Sequence, residues 1–184
     1  MGQKDRERWD AKWTAREDGI GEPHVLLEHY CHLFSGGDAL DLACGRGQNS
    51  LLLAGLGYQV LAVDISPVAL NSARQAAELC GLTNKIQFRQ VDLDEWAIPT
   101  ESFDLIVVFR FLDRNLFRAI KKALRFGGGL LYSTRNTGVL EREPDSNPAY
   151  LLQPGELRTI FGDWEIIFYE DGEVDSSIVT RRPG

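Results

Sequence analysis

One segment near the start of the chain constrains the fold more than any other. An apolar strand over residues 39–43 is followed by a glycine-containing loop, a helix over 49–56 and a second strand over 59–63 that an acid follows at once. Glycines between a strand and a helix allow a sharp turn and a close approach of the backbone to a ligand. The segment therefore predicts a βαβ unit with a binding loop at the carboxyl end of its first strand.

The alternation of apolar strands and helices continues along the chain. The predicted strands are 39–43, 59–63, 86–91, 103–111, 130–134, 164–169 and 177–182. Helices are predicted between the first five strands, which indicates an α/β fold with a doubly wound, mostly parallel sheet. Gly127–Gly129 is predicted to form the turn that follows a helix over 115–126. No helix separates the last two of the seven strands, so we expect a closing hairpin with one antiparallel edge strand.

The first 34 residues are predicted to be helical. Trp9 and Trp13 lie four residues apart, so a helix would place both rings on one face. We interpret this pair as the docking surface of the helix, with direct contact to a ligand as the alternative. Pro23 suits the first turn of a second helix that runs to about Phe34. Because no linker-like stretch follows, we predict a single domain over 1–184, with a helical cap at 1–34 and a core at 35–184.

Charge and cysteine content limit the partners of the chain. It has 20 basic and 27 acidic side chains and a net charge of -7. Nucleic acids and anionic membranes attract basic surfaces, so we expect neither as a partner. Three cysteines without a Cys-x-x-Cys pattern, and no apolar leader, predict a reduced cytoplasmic protein without a metal site. The sequence leaves the oligomeric state open.

Two acids accompany the glycine loop. Asp41 lies on the first strand, and Asp64 follows the second, where a carboxylate can accept hydrogen bonds from both ribose hydroxyls. An NAD-binding loop favours G-x-G-x-x-G, whereas Ser50 occupies the third glycine position here. Asp41 suits a ligand with an ammonium group better than a pyrophosphate, which favours S-adenosylmethionine over NAD. The alternatives are a helix cap for Asp64 and a loop-bracing carboxylate for Asp41.

Four motifs follow one another along the chain: Asp41-x-x-Cys44-Gly45-x-Gly47, Val63-Asp64-Ile65-Ser66, Val91-Asp92-Leu93 and Phe103-Asp104-Leu105-Ile106-Val107. Together they resemble the successive motifs of class I S-adenosylmethionine-dependent methyltransferases. Their order and spacing are more specific than any single motif, and the likeness covers roughly residues 35–182. Within the family, segments 111–114 and 147–157 are similar to the small tellurite-resistance-type methyltransferases. The resemblance implies a Rossmann-like fold and S-adenosyl-L-methionine as the cofactor.

The resemblance also implies roles for individual residues. The methionine part of the cofactor would lie along the loop residues Ala43, Cys44, Gly45 and Gly47 and against the backbone of Phe109 and Arg110. The nucleoside would be held by Asp64 at the ribose and by Ile65, Asp92 and Leu93 at the adenine. A plain turn residue is the alternative for Asp92. Cys44 is interpreted as a small packing residue, because no adjacent base suggests a nucleophile.

The methyl acceptor is predicted to be a small molecule. The candidate acceptor contacts are Phe111, the last residue of the fourth predicted strand, and Arg135 and Asn136, which follow the fifth. The last two begin a polar segment, 135–148, that we predict to be a long loop able to act as a lid. Arg135 could bind an anionic acceptor or simply be a solvated cation. A thiol or a tellurium or selenium oxyanion is favoured, because soft nucleophiles need no general base and none is evident.

Three other functions stay open at this point. The first is an NAD-dependent oxidoreductase of similar fold, and the second is a non-catalytic S-adenosylmethionine-binding module that acts on a partner protein. The third is a nucleic-acid methyltransferase, which the acidic charge disfavours. No catalytic residue is identified: the chain's three histidines, His24, His29 and His32, are interpreted as satisfied or surface residues.

Overall fold

The computed structural model of the chain describes residues 2–16 and 19–184. Residues 1, 17 and 18, which belong to the predicted helical cap, lie outside the described residues. The chain divides into two compact units, a first unit that ends at Ile98 and a second unit, Pro99–Gly184. The single domain over 1–184 stays a prediction.

In the part of the chain that the structure describes, seven strands form one sheet. They are β1 (Asp38–Leu42), β2 (Gln59–Asp64), β3 (Ile86–Gln90), β4 (Phe103–Phe109), β5 (Leu124–Arg135), β6 (Glu165–Asp171) and β7 (Asp175–Arg181). Their order in the sheet is β3-β2-β1-β4-β5-β7-β6. Strands β1, β2 and β3 pair in parallel, as do β4 and β5, whereas β7 runs antiparallel to both β5 and β6. The predicted fold class is confirmed, with β7 one position inside the edge strand β6.

The described residues of the first unit form four α-helices. They are α1 (Gln3–Thr14), α2 (Val25–Tyr30), α3 (Gln48–Gly55) and α4 (Pro67–Leu79). Helix α4 begins as predicted, because the Ser66 hydroxyl accepts a hydrogen bond from the Ala69 N–H and Pro67 opens the first turn. Helix α2 begins two residues later than predicted from Pro23, because His24 is its N-cap and its Nδ1 accepts from the Leu26 N–H.

The second unit contains α5 (Phe117–Ala123) and α6 (Glu156–Phe161). The prediction of a helix to Phe126 followed by a glycine turn is wrong. The helix ends at Ala123, and the glycines lie inside β5, where Phe103 pairs with Leu124 but Leu105 already pairs with Gly129. The four residues between are a bulge of β5, and bulges of this kind are favoured by glycine.

The polar segment after β5 is more ordered than the predicted long loop. It contains a 3-10 turn, Thr137–Glu141, and a second one, Pro148–Tyr150. An isolated parallel bridge joins Asn136 to Leu152, so the two ends of the segment meet. Among residues 2–16 and 19–184, no helix has both the length and the apolar character that a membrane span requires.

Candidate cofactor-binding site

The glycine loop between β1 and α3 is tightly wound. Ala43, Gly45 and Gly47 all have positive φ angles, of 55°, 55° and 82°. A Cβ at Gly47 would lie 3.0 Å from the Cβ of Ala73 and 3.3 Å from the ring of Phe88, so only glycine fits against α4 and β3. Ala43 adopts the same left-handed conformation without being glycine, a kind of strain that is concentrated at functional sites.

Asp64 joins the glycine loop to the end of β2. Its Oδ2 accepts the Gly45 N–H at 2.8 Å, and its Oδ1 accepts the Ser66 N–H at 2.9 Å. The side chain is buried, and this burial raises the pKa of the carboxyl, although the two backbone N–H groups act in the opposite direction. A carboxylate has about four lone-pair sites, so Asp64 retains capacity for a further donor such as a sugar hydroxyl.

Asp41 lies deeper than Asp64. It is 1% exposed, and its Oδ2 accepts the hydroxyl of Ser50 at 2.5 Å. Burial raises the pKa of Asp41 to about 7, and the nearby charge of Asp64 adds to the rise. The bond to Ser50 ties β1 to α3, which agrees with the loop-bracing interpretation. The contact of Asp41 with an ammonium group stays a prediction.

Cys44 is a buried residue of the loop. Its Sγ donates to the Gly45 carbonyl at 3.7 Å. Burial raises the pKa of the thiol well above its usual range, and the neighbouring acids raise it further. A reactive cysteine needs a lowered pKa, so the structure agrees with a packing role.

Arg46 fastens the N-terminal segment to the glycine loop. Its guanidinium donates to the carbonyls of Trp13 at 2.9 Å, Arg16 at 2.7 Å and Gly19 at 3.0 Å. The Trp13 ring lies against the loop, 3.0 Å from where a Cβ at Gly45 would stand. This contact agrees with the docking interpretation of the tryptophans. The role of Arg46 was missed, since nothing in the sequence pairs it with carbonyls about 30 residues away.

A cavity of about 340 Å³ lies in the first unit, and pockets for small molecules have volumes of this order. Its lining residues are Gly2, Gln3, Arg6, Ile65, Gln90, Val91, Asp92 and Glu95. Two of them, Ile65 and Asp92, are predicted adenine contacts, whereas Leu93 is buried and does not line the cavity. Asp92 also accepts the Asp94 N–H at 3.0 Å, the bond of a turn residue. The cavity and the adjacent Asp64 fit the nucleoside part of the predicted cofactor.

Three predicted residues lie at the end of β4 in the second unit. Phe109 is buried, and Arg110 is exposed with a φ of 56° and an N–H that donates to the Ser133 carbonyl at 2.8 Å. Phe111 is half-buried, and its carbonyl accepts the Tyr132 hydroxyl at 2.8 Å. The backbone there is strained and fixed, but cofactor contact by Phe109 and Arg110 and acceptor contact by Phe111 stay predictions.

Arg135 and Asn136 are already engaged within the second unit. The Arg135 guanidinium donates to both carboxylate oxygens of Glu143, at 2.9 and 2.6 Å, which lowers the pKa of that acid. The buried Asn136 amide accepts the Gly138 N–H at 2.8 Å and donates to the Gly172 carbonyl at 2.9 Å. Both side chains hold the segment after β5, and their contact with an acceptor stays a prediction.

Comparisons with known proteins point in one direction. Residues 39–128 match a family described as "Methyltransferase domain". A ubiquinone biosynthesis O-methyltransferase of Actinobacillus pleuropneumoniae is 32% identical over 140 residues, 70% of this chain and 59% of the relative. The probable S-adenosyl-L-methionine-dependent methyltransferase TehB of Haemophilus influenzae is 30% identical over 141 residues, 72% of this chain and 47% of the relative. This chain spans about half the length of the curated relatives that it matches.

The fold agrees with these matches. The crystal structure of TehB from Haemophilus influenzae superimposes with a TM-score of 0.76 at 20% identity, over 96% of this chain and 66% of that chain. At that identity the superposition shows a common fold, and the matched family favours a methyltransferase over an NAD-dependent oxidoreductase. Residues 39–128 thus match a methyltransferase domain, and the resemblance of the chain to class I S-adenosylmethionine-dependent methyltransferases is confirmed.

Proposed function

We propose that the protein is an S-adenosylmethionine-dependent methyltransferase that acts on a small-molecule acceptor. One observation carries the proposal: the buried Asp64 carboxylate joins the glycine loop to the end of β2, next to the cavity that Ile65 and Asp92 line. A carboxylate at this place can accept ribose hydroxyls, and Ile65 and Val91 give the cavity an apolar surface for a base. The matched methyltransferase family supports the same conclusion.

The residues of the site bind and orient. The cofactor, when bound, supplies a methyl group that a sulfonium sulfur activates. Asp64 offers its remaining lone pairs to hydroxyl donors, Ile65 offers an apolar surface, and the glycine loop allows close approach of the chain. Fixed orientation of this kind can lower the barrier of a two-reactant step by about 7–11 kcal/mol in favourable cases.

Calorimetric titration tests the cofactor. Purified protein is titrated with S-adenosylhomocysteine, and NADH is titrated in parallel. We expect micromolar binding of the first and none of the second, because Ser50 replaces the third glycine of the dinucleotide fingerprint. Folded protein that binds NADH and not S-adenosylhomocysteine would falsify the proposal.

Asp64→Ala tests the ribose contact. The variant should lose S-adenosylhomocysteine binding by at least tenfold, because charge-assisted hydrogen bonds contribute about 1.5–3 kcal/mol. It should also lose stability, since the Gly45 and Ser66 N–H groups lose their acceptor. Phe161→Leu is the matched control: this residue is fully buried in α6, and its ring packs on Phe117 and Trp164, neither of which is a predicted cofactor residue. Phe161→Leu should lower stability and keep the affinity for S-adenosylhomocysteine. Equal affinities in the wild type, Asp64→Ala and Phe161→Leu would refute the ribose contact of Asp64.

We propose a thiol or a tellurium or selenium oxyanion as the acceptor. The argument is that no general base is evident among the histidines. The His24 Nδ1 accepts the Leu26 N–H at the start of α2, and His29 and His32 are exposed on the same short helical segment. A thiolate brings its own electron pair to the new bond to carbon and needs no proton acceptor, whereas a phenol or an amine does.

An acceptor panel tests this preference. Small thiols, selenite and tellurite are compared with catechols and amines, and the formation of S-adenosylhomocysteine is measured. The relatives include a ubiquinone biosynthesis O-methyltransferase, so catechols are the strongest competing class. Turnover of catechols alone would overturn the soft-acceptor proposal. Cofactor binding without turnover of any acceptor would favour a non-catalytic binding module.

A further inference from the structure

The cavity of the first unit has two walls of different origin. One wall comes from the ends of β2 and β3 and the turn after them, and contains the predicted adenine contacts Ile65 and Asp92. The other wall comes from the start of α1, through Gly2, Gln3 and Arg6. Gln3 and Arg6 are three residues apart on the helix, so their side chains share a face. No motif of the sequence assigns a role to this wall.

Helix α1 is docked by polar contacts. None of its residues is buried. The Trp13 ring packs on the glycine loop, and polar contacts add to this packing beside α4. Asp10 accepts the hydroxyl of Ser66, the N-cap of α4, at 2.5 Å. At the far end, Arg46 holds the carbonyl of Trp13 at 2.9 Å. The helix is thus fixed at its middle and its end, with its first turn beside the cavity.

The charges of the cavity lining also differ between the walls. Arg6 on α1 is positive, whereas Asp92 and Glu95 on the opposite wall are negative. A guanidinium is flat and stacks on aromatic faces, and the opposing carboxylates accept hydrogen bonds from amino groups. A flat base with an exocyclic amino group between these walls would meet a cation on its face and acceptors at its edge.

We propose that the first turn of α1 completes the cofactor site at its nucleoside end, with Arg6 as a cofactor-binding residue. This inference rests on the proposed function, since it takes the cavity to be the adenine pocket. Arg6 lies against the face of the base, and Gln3 closes the wall beside it. The glycine loop then has two roles: its backbone lies beside the cofactor, and its residue Arg46 holds in place the helix that carries Arg6.

Two ligands and three variants test the role of Arg6. S-adenosylhomocysteine and 5′-methylthioadenosine share the nucleoside, but only the first carries the amino-acid part. Arg6→Met should lower the affinity for both ligands by the same factor. The expected factor is roughly three- to thirtyfold, the size of the contribution of a cation on an aromatic face. Arg6→Lys keeps the charge and the aliphatic part of the side chain but lacks the flat guanidinium, so its affinity for both ligands should fall at least threefold. Arg8→Met is the matched control, because Arg8 pairs with Asp5 and lies over the Trp9 ring.

The outcomes separate this inference from the proposed function. Wild-type protein that binds neither ligand overturns the proposed function and the inference with it. Wild-type affinity in Arg6→Met, while Asp64→Ala is weakened, overturns the role of α1 alone. A loss confined to S-adenosylhomocysteine also overturns it, because Arg6 would then act at the amino-acid end. Circular dichroism of each variant verifies that the helices are intact.

Discussion

Asp41 makes the stability of the protein depend on pH in an unusual direction. Its carboxyl is 1% exposed, and burial raises its pKa from 3.8 to about 7. Between these two values the unfolded chain has released the proton and the folded chain retains it. The free energy of unfolding therefore falls as the pH rises from about 4 to about 7. Asp41→Asn removes the titration and keeps an oxygen that accepts the Ser50 hydroxyl.

The size of the effect follows from the two pKa values. Their difference of about 3 corresponds to about 4 kcal/mol, since each pKa unit is worth about 1.4 kcal/mol. About 3 kcal/mol of this change falls between pH 5 and pH 8. Near pH 4 the variant and the wild type should be about equally stable. At pH 8 Asp41→Asn should be the more stable protein by several kcal/mol.

Urea unfolding at pH 5, 6, 7 and 8 measures the effect for Asp41. The quantity of interest is the difference in the free energy of unfolding between Asp41→Asn and wild type at each pH, because the contributions of titrating groups remote from Asp41 cancel in it. Ser50→Ala is the control: the Ser50 hydroxyl lowers the pKa of Asp41, so its loss should move the transition to higher pH. A difference that stays constant across this range refutes the reasoning.

Two further predictions concern the loop and the segment after β5. Gly47→Ala should lower the free energy of unfolding by about 2 kcal/mol or more, because its φ is 82° and a Cβ would meet a neighbour at 3.0 Å. Gly55→Ala, with nothing within 4 Å, should be neutral or slightly stabilising in the same urea titration. Arg114 anchors residues 149–156, because its guanidinium donates to both carboxylate oxygens of Glu156, at 2.6 and 2.8 Å, and to the carbonyls of Ala149 and Leu151, at 2.9 and 2.8 Å. Arg114→Met removes these bonds and should lower the free energy of unfolding by about 1 kcal/mol and speed hydrogen exchange of residues 149–156. Arg142→Met breaks an exposed pair and should change stability by less than about 0.5 kcal/mol; an equal loss in both arginine variants contradicts the anchoring role of Arg114.

The fold was predictable because its signals are local. Apolar runs, glycines at loop ends and the Ser66-Pro67 cap specify each strand and helix from neighbouring residues. The exception is the end of α5, where the pattern continued to Phe126 but the chain joins β5 at Leu124. That boundary depends on pairing with β4, which is a tertiary contact and leaves no periodic signal.

The contacts that hold the site together were predictable only in part. The positions of Asp41, Asp64 and the loop glycines follow from the motifs. The partners of Arg46 lie 27 to 33 residues away and are backbone carbonyls, which any residue could supply. Ser50 was noticed as a departure from a dinucleotide fingerprint, whereas in the structure it is the hydrogen-bond donor to Asp41.

The backbone of the loop explains why its two acids behave differently. Asp64 receives two backbone N–H groups, which oppose the effect of burial on its pKa and stabilise the ionised form that accepts hydroxyls. Asp41 receives the hydroxyl and the backbone N–H of Ser50, and the nearby charge of Asp64 raises its pKa further. The positive charge of an ammonium group near Asp41 would offset the charge of Asp64 and lower the pKa of Asp41. Binding of such a ligand would therefore be linked to the release of a proton from Asp41 near pH 7. Both residues are aspartates, so their different roles follow from the path of the loop at Gly45, whose N–H donates to Asp64.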